Sequence, residues 1–282
     1  MESIAVILTS YNRVQKTYSC IQRIFASKLP DQYSLEIFLV DDLSSDNTEK
    51  IIKENFPQVN VITGNGNLYW CGGMRMAWSA AYEKYDFDYY IWINDDVEIF
   101  DNSIHQLLEI QKEYLLNTLK NCIVFGFCSS FNNNKITYGG IYKKKYLTPN
   151  GKIQNANLIN GNFVLVPKQV FMVLGNLSDK YSHGMADYDY SLRALENNID
   201  CISTKSIVAK CNRNIDIFTS KDYTFYQKIK HLNNILFNKY VKFKFDEYVY
   251  FRKRFFYETI LFIYFKYILY NFFKIIISTL KK

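Results

Sequence analysis

Apolar residues in the first hundred positions come in short continuous runs, each followed by a polar loop and then a helical repeat. Ile4 to Leu8 is such a run; after Thr9-Ser10-Tyr11-Asn12-Arg13, apolar positions return at Val14, Tyr18, Ile21, Ile24 and Phe25 with the spacing of a helix face. Leu35 to Val40 repeats the strand signal and stops at Asp41-Asp42. Ser44-Ser45-Asp46-Asn47-Thr48-Glu49 then supplies capping residues for a helix through Phe56. Val59 to Thr63 reads as a third strand. Gly64 to Asn67 and then Leu68 to Gly73 lead to a helix from about Met74 to Lys84, and Tyr89 to Ile93 reads as a fourth strand. This alternation predicts an α/β fold with a mostly parallel central sheet, flanking helices and right-handed crossovers.

In such a sheet the ligand site lies off the carboxyl ends of the strands. Each predicted end is polar: Thr9 to Arg13, Asp41-Asp42, Asn65 to Asn67, and Asn94-Asp95-Asp96. Any one of these loops taken alone reads better as turn and capping chemistry. Four in succession, two with adjacent carboxylates that repel unless a cation joins them, point to one cleft. No glycine-rich turn follows the first strand and no Gly-Lys-Ser/Thr loop is present, which excludes a dinucleotide-binding dehydrogenase and a P-loop nucleotidase.

Composition narrows the class. The chain has 282 residues, 49% hydrophobic and 22% charged, with 4 Pro and 11 Gly, so it can bury a large core and offers no flexible linker. The six cysteines show no zinc or redox spacing, and reduced thiols in a cytoplasmic protein are expected. Met1-Glu2-Ser3 runs straight into the first strand without signal-peptide features, so secretion is not expected. From Val241 to Lys282, nine basic residues, among them Lys242, Lys281 and Lys282, face three acidic ones, so this stretch holds +6 of the net +7. A nearly neutral body with a basic aromatic tail argues against nucleic acid and for an anionic surface met by the tail.

Several of these segments resemble family 2 glycosyltransferases of the GT-A fold, especially those of bacterial surface-polysaccharide synthesis, rhamnosyltransferases among them. Ile7 to Arg13 is similar to the family's opening strand and loop, and Val40-Asp41-Asp42-Leu43-Ser44-Ser45-Asp46-Asn47-Thr48 resembles its Val-Asp-Asp-x-Ser-x-Asp-x-Thr motif. Gly66 to Arg75 resembles Gly-Asn-x-Gly-x-Gly-Gly, with Tyr69 and Cys71 in place of small residues. Asn94-Asp95-Asp96 falls at the metal-binding Asp-x-Asp with Asn94 as its first member. Asn160 to Pro167 resembles the strand under the acceptor site, and Ala186-Asp187-Tyr188-Asp189-Tyr190-Ser191-Leu192-Arg193 resembles Glu-Asp-x-Asp-Leu-x-x-Arg with Ala186 replacing the Glu.

The resemblance implies an inverting, metal-dependent transfer of a sugar from a nucleotide-diphospho-sugar to a saccharide or lipid-linked acceptor. It implies a GT-A domain over residues 1–240, donor-binding to about 100 and acceptor-binding beyond. Asp187 would be the catalytic base, with Asp189 an alternative; on a helix beginning near Asp187 the two point about 200° apart, so Asp189 more naturally pairs with Arg193. Mg2+ or Mn2+ would sit on Asp96, with Asn94 or Asp95 assisting and His183 either a further ligand, a contact to the acceptor or a loop residue without such a role. The donor would meet Thr9, Tyr11, Asn12, Arg13, Asp41, Asp42, Asn67, Trp70, Gly73, Arg75, Asn94 and Asp95. Trp70 and Tyr69 form either a floor for the sugar or ordinary core; Arg75 reaches a phosphate or stays in water; Cys211 to Asn214 is a cleft-wall loop without a role. A nucleotidyltransferase would open on a glycine- and basic-rich loop that is absent here, and a non-catalytic glycan-binding protein would have no use for the acid pair and the base together.

On a helix, Thr259 to Ser278 gathers Leu261, Phe262, Phe265, Ile268, Leu269, Phe272, Phe273, Ile275 and Ile276 on one face and Lys266, Tyr267, Tyr270, Asn271, Lys274 and Ser278 on the other. This pattern, with the aromatic and basic Tyr248 to Arg254, predicts a tail over 241–282 that lies on an anionic membrane rather than spanning it. The alternative is a docked helix with its lysines in water. The expected location is the inner face of the plasma membrane.

Overall fold

The computed structural model describes residues 1–237 and 244–280, so the boundary expected at 240/241 and the tail residues Lys242, Lys281 and Lys282 lie outside the described residues. The chain packs as two units, Met1–Asp179 with Ala186–Asn212, and Lys180–Met185 with Arg213–Lys282.

The first unit runs β1 (Glu2–Ser10), α1 (Val14–Phe25), β2 (Tyr33–Asp41), α2 (Thr48–Asn55), β3 (Asn60–Thr63), α3 (Tyr69–Lys84), β4 (Tyr89–Ile93), β5 (Glu98–Ile99), α4 (Ser103–Thr118), β6 (Cys122–Ser129), β7 (Ile136–Tyr138), β8 (Gly140–Tyr142), β9 (Lys145–Tyr146), β10 (Asn155–Ala156), β11 (Leu158–Ile159), β12 (Phe163–Pro167), α5 (Lys168–Leu174), α6 (Ala186–Glu196) and β13 (Asp200–Lys210). The main sheet has the order β10-β13-β6-β12-β4-β1-β2-β3, with β5 on β13 and β7 on β6; β11, β8 and β9 form a small second sheet. β4, β1, β2 and β3 are mutually parallel. β12 enters antiparallel between β4 and β6, which pairs Phe163 with Ile93 and sets Asn162 beside Asn94.

The apolar runs form strands because both sheet faces are covered. Ile4, Val6 and Leu8 share a core with Cys20, Ile21 and Ile24 of α1 and Ile104, Leu107 and Leu108 of α4. On the opposite face, at the strand period of two, Tyr90 and Trp92 meet Trp78 of α3 at ring-centroid distances of 5.4 and 5.3 Å. Phe171 of α5 and Tyr190 of α6 complete that aromatic layer.

The helix α3 starts earlier than the sequence predicts, at Tyr69 and not near Met74, so Gly72 and Gly73 are helical. The cause is a distant cap, the Asp42 carboxylate, which accepts the N–H groups of Leu68 and Tyr69. Gly73 also lets this helix approach β1, since a Cβ there would lie 2.0 Å from Thr9 Oγ1.

The second unit contains α7 (Phe225–Phe237), α8 (Phe245–Phe256) and α9 (Ile260–Leu280). Its core joins Phe218, Leu232, Ile235, Phe245, Ile263 and Ile275. Lys228 Nζ donates to Ser278 Oγ at 2.8 Å, and Ser278 donates to the Phe218 carbonyl at 2.9 Å. The expectation that the polar stripe of α9 faces water is overturned for Tyr267, Asn271 and Ser278: the Tyr267 ring packs on Phe245 and Tyr248, Asn271 is buried and donates to the Tyr267 carbonyl, and Ser278 meets Lys228. Ile275, expected on the outward apolar face, is fully buried. Leu261, Phe262, Phe265, Leu269, Phe272 and Phe273 are exposed. α9 is long and apolar enough to cross a membrane by length and composition.

Candidate active site

The first two strand ends are stitched into one surface. Asn12, in the left-handed region at φ 51°, donates its N–H to Ser44 Oγ at 2.8 Å and accepts the Ser45 N–H at 2.7 Å. The Val14 N–H reaches Asp46 Oδ2 at 2.9 Å. Asp41 is buried and accepts the Ser44 hydroxyl; burial lifts its pKa above the usual carboxylate value, against that hydrogen bond. Asp42, also buried, accepts three backbone N–H groups, from Gly66 at 2.8 Å, Leu68 at 2.9 Å and Tyr69 at 3.2 Å. Its carboxylate therefore shapes the third loop as well as facing the second. Tyr11 and Asn67 are exposed, and the Thr9 side chain lies against Gly73.

At the end of β4 the adjacent acids have found a cation. Arg13 Nη1 lies 3.0 Å from Asp95 Oδ1 and 3.3 Å from Asp96 Oδ2. Asp95 is the deeper, its side chain 5% exposed against 17% for Asp96, and its other oxygen accepts Thr17 Oγ1 at 3.4 Å. Burial raises the Asp95 pKa, Arg13 opposes this, and Asp96 reinforces it. Asp96 Oδ1 accepts the Cys211 thiol at 3.6 Å, and Asn162 Nδ2 donates to that sulfur at 3.7 Å. Burial and Asp96 push the thiol pKa far up, so Cys211 is a neutral donor.

A third carboxylate stands across Trp70. Asp187, in the first turn of α6, accepts the Gly161 N–H at 3.0 Å on one oxygen and the Tyr188 N–H at 2.9 Å on the other. Burial pushes its pKa up to about 6, although both N–H groups pull it down. Gly161 is required by proximity: a Cβ there would lie 2.6 Å from the Trp70 ring and 3.4 Å from Asp187 Cβ. Trp70 Nε1 in turn donates to Asn94 Oδ1 at 2.7 Å. Asp187, Gly161, Trp70 and Asn94 thus form one line ending beside Asp95 and Asp96.

The remaining sequence candidates divide. Asp189 is buried and paired with Arg193 at 2.7 Å, and Arg193 also donates to the carbonyls of Leu174 and Asn176. Arg75 donates to the Ser178 carbonyl at 3.2 Å, so it ties α3 to the segment after α5. His183 belongs to the stretch Lys180–Met185 of the second unit. Cys211 and Asn162 were not singled out as site residues from the sequence. The signal for Cys211 was its place where an apolar strand gives way to Asn-Arg-Asn.

The donor set suits a hard divalent cation completed by phosphate oxygens and water. Two carboxylates share one guanidinium, which leaves negative charge, and Asp96 is the more accessible of the pair. No cluster of three acidic, His or Cys ligands occurs among the described residues. A separate hollow of about 470 Å³ beside Arg23, Asp101 and Lys210 shares none of these side chains.

Comparisons with known proteins agree with this fold. GalNAc-T7, solved with UDP, GalNAc and Mn2+, superposes with a TM-score of 0.58 at 16% identity over 76% of this chain, which spans 44% of that one. A fragment of S. aureus TarS in complex with UDP-GlcNAc gives 0.53 at 10% identity, covering 86% of this chain and 68% of the fragment. At such identities the likeness concerns the fold, which is GT-A. No curated protein matches the sequence. The family model for glycosyl transferase family 2 matches residues 5–168, from β1 to the start of α5, and over that majority of its length the chain belongs to this family.

Proposed function

We propose that this glycosyltransferase is inverting and metal-dependent, and that it moves one sugar from a nucleotide-diphospho-sugar to a saccharide or lipid-linked acceptor. We place it in bacterial cell-surface polysaccharide synthesis at the inner face of the plasma membrane. One observation carries the reading: a half-neutralised acid pair, Asp95 and Asp96, is joined through Asn94, Trp70 and Gly161 to a carboxylate whose pKa of about 6 suits a base near neutral pH.

In the proposed reaction the acceptor oxygen bonds to the anomeric carbon while the bond from that carbon to the diphosphate breaks. The acceptor proton passes to Asp187, and the nucleoside diphosphate leaves with the electron pair. Bound Mg2+ or Mn2+ would neutralise the diphosphate. Asp96 would hold the cation, with Asp95 behind it and Arg13 fixing both carboxylates. The surface of Thr9, Tyr11, Asn12 and Asp41 is suited to the nucleoside, and Asp42 holds the Gly66 to Tyr69 backbone in place. Six buried cysteines outside any disulfide fit a reducing compartment.

GalNAc-T7 with UDP and TarS with UDP-GlcNAc make uridine diphosphate sugars the first donors to try. Release of nucleoside diphosphate from a panel of donors, with Mn2+ and with EDTA, tests the class. Proton NMR of the product's anomeric centre tests the stereochemistry: inversion supports the reading, and retention rejects it.

A further inference from the structure

α9 is packed with its polar edge inward and its apolar face outward. Tyr267, Asn271 and Ser278 turn toward α7 and α8, and Asn271 is closed off by donating to the Tyr267 carbonyl at 2.9 Å. Leu261, Phe265, Leu269, Phe272 and Phe273 form a stripe in solvent, with Leu261 85% and Phe265 63% exposed. A solitary exposed apolar side chain is ordinary, whereas a continuous band along a helix of about 30 Å is an interaction surface.

The chemistry of the band's surroundings selects its occupant. Over residues 244–280 six basic side chains face three acidic ones. Lys253 and Arg254, at the end of α8, are exposed next to the exposed Phe256 and Tyr257, and Lys266 lies at the edge of the band with its nitrogen 5.4 Å from the Phe262 ring centroid. An apolar stripe without hydrogen-bonding groups, edged by lysine and tyrosine and next to a basic aromatic turn, matches the boundary between acyl chains and anionic headgroups.

We propose that the outward face of α9 is a docking surface for an anionic lipid bilayer, on which the helix lies in the plane of the interface. Spanning is disfavoured because the inward edge is packed on α7 and α8. Lys228 of α7 reaches Ser278, and Lys274 of α9 pairs with Asp216, so crossing the bilayer means either breaking these contacts or carrying charged helices into hydrocarbon. The inference deepens the membrane side of the function proposed above. Its test reads vesicle binding alone, so it stands or fails separately from sugar transfer.

The experiment is flotation of the full chain with vesicles of phosphatidylcholine, alone or mixed with phosphatidylglycerol. The expected result is binding to the mixed vesicles that weakens between 0.1 and 1 M salt. The pair Phe265→Ser and Phe272→Ser should lower the partition coefficient about tenfold or more. Lys253→Gln with Arg254→Gln should lower it about fivefold per charge at low salt. Both variants should keep the wild-type circular dichroism and melting temperature. Failure of the wild type to bind anionic vesicles, or binding unchanged in both folded variants, overturns the proposal. So does a solution dimer that the phenylalanine variant dissociates without any vesicle binding, which assigns the face to a second copy. Retention on vesicles through alkaline carbonate extraction overturns the in-plane arrangement.

Discussion

Replacing Asp187 by Asn should separate the base from the rest of the site. In the folded protein burial holds this carboxyl at about 6, against an ordinary value of 3.8. If it accepts the acceptor's proton, wild-type kcat/KM should be level above about pH 7 and fall close to tenfold per unit below about pH 6. Asp187→Asn removes the acceptor of that proton and should cost roughly 10²-fold or more, with no slope near pH 6. Folding should carry the same signature. Between about pH 4 and 6 the native carboxyl keeps a proton that the unfolded chain has released, so stability falls as pH rises across this window and is flat above it. At 1.36 kcal/mol per unit the ceiling is about 3 kcal/mol. The Asn variant escapes this cost above pH 6 but leaves one of the Gly161 and Tyr188 N–H groups without its acceptor, offsetting about 1 kcal/mol. Donor turnover and urea unfolding from pH 4.5 to 8.5 measure both. A wild-type rate indifferent to pH near 6, or an Asn variant with near wild-type turnover, refutes the reasoning.

Asp189→Asn breaks a buried ion pair and should cost about 3 kcal/mol in urea unfolding, yet leave the pH slope of the folded enzyme in place. Arg13→Ala leaves Asp95 buried without its cation; stability should drop by about 1 to 3 kcal/mol at pH 7. That gap should narrow as pH falls, because a protonated Asp95 needs no counter-charge, and a gap independent of pH speaks against the pairing. Gly73→Ala puts a Cβ 2.0 Å from Thr9 Oγ1 and should lower stability by about 1 to 3 kcal/mol by thermal unfolding, whereas an unchanged melting temperature contradicts the close packing of α3 on β1.

The parallel half of the sheet is legible because each strand is a mostly apolar run that ends in polar residues. Tyr89 to Ile93, between Asp88 and Asn94, is found with both ends as read. The antiparallel entry of β12 was not legible, since a run of Phe163 to Pro167 says that a strand is buried and nothing about its direction. The sequence pattern starts α3 too late because Gly72 and Gly73 are poor helix formers, and the cap that overrides them sits on Asp42, a contact distant in sequence. The pairing of Asp189 with Arg193 followed from helical spacing alone. The sulfur of Cys211 beside Asp96 did not, because it depends on where β13 ends relative to β4. For α9 the periodicity sorted most side chains onto their faces, but which face turns inward was decided by the partners on α7 and α8.

The account rests on a cation held at Asp96 that joins the protein to the donor's diphosphate. Isothermal titration of UDP into the wild type and into Asp96→Ala, each with Mn2+ and with EDTA, tests this most directly. The account predicts binding by the wild type with Mn2+ and a loss of about tenfold or more on chelation or on substitution. Equal affinity under all four conditions would contradict it.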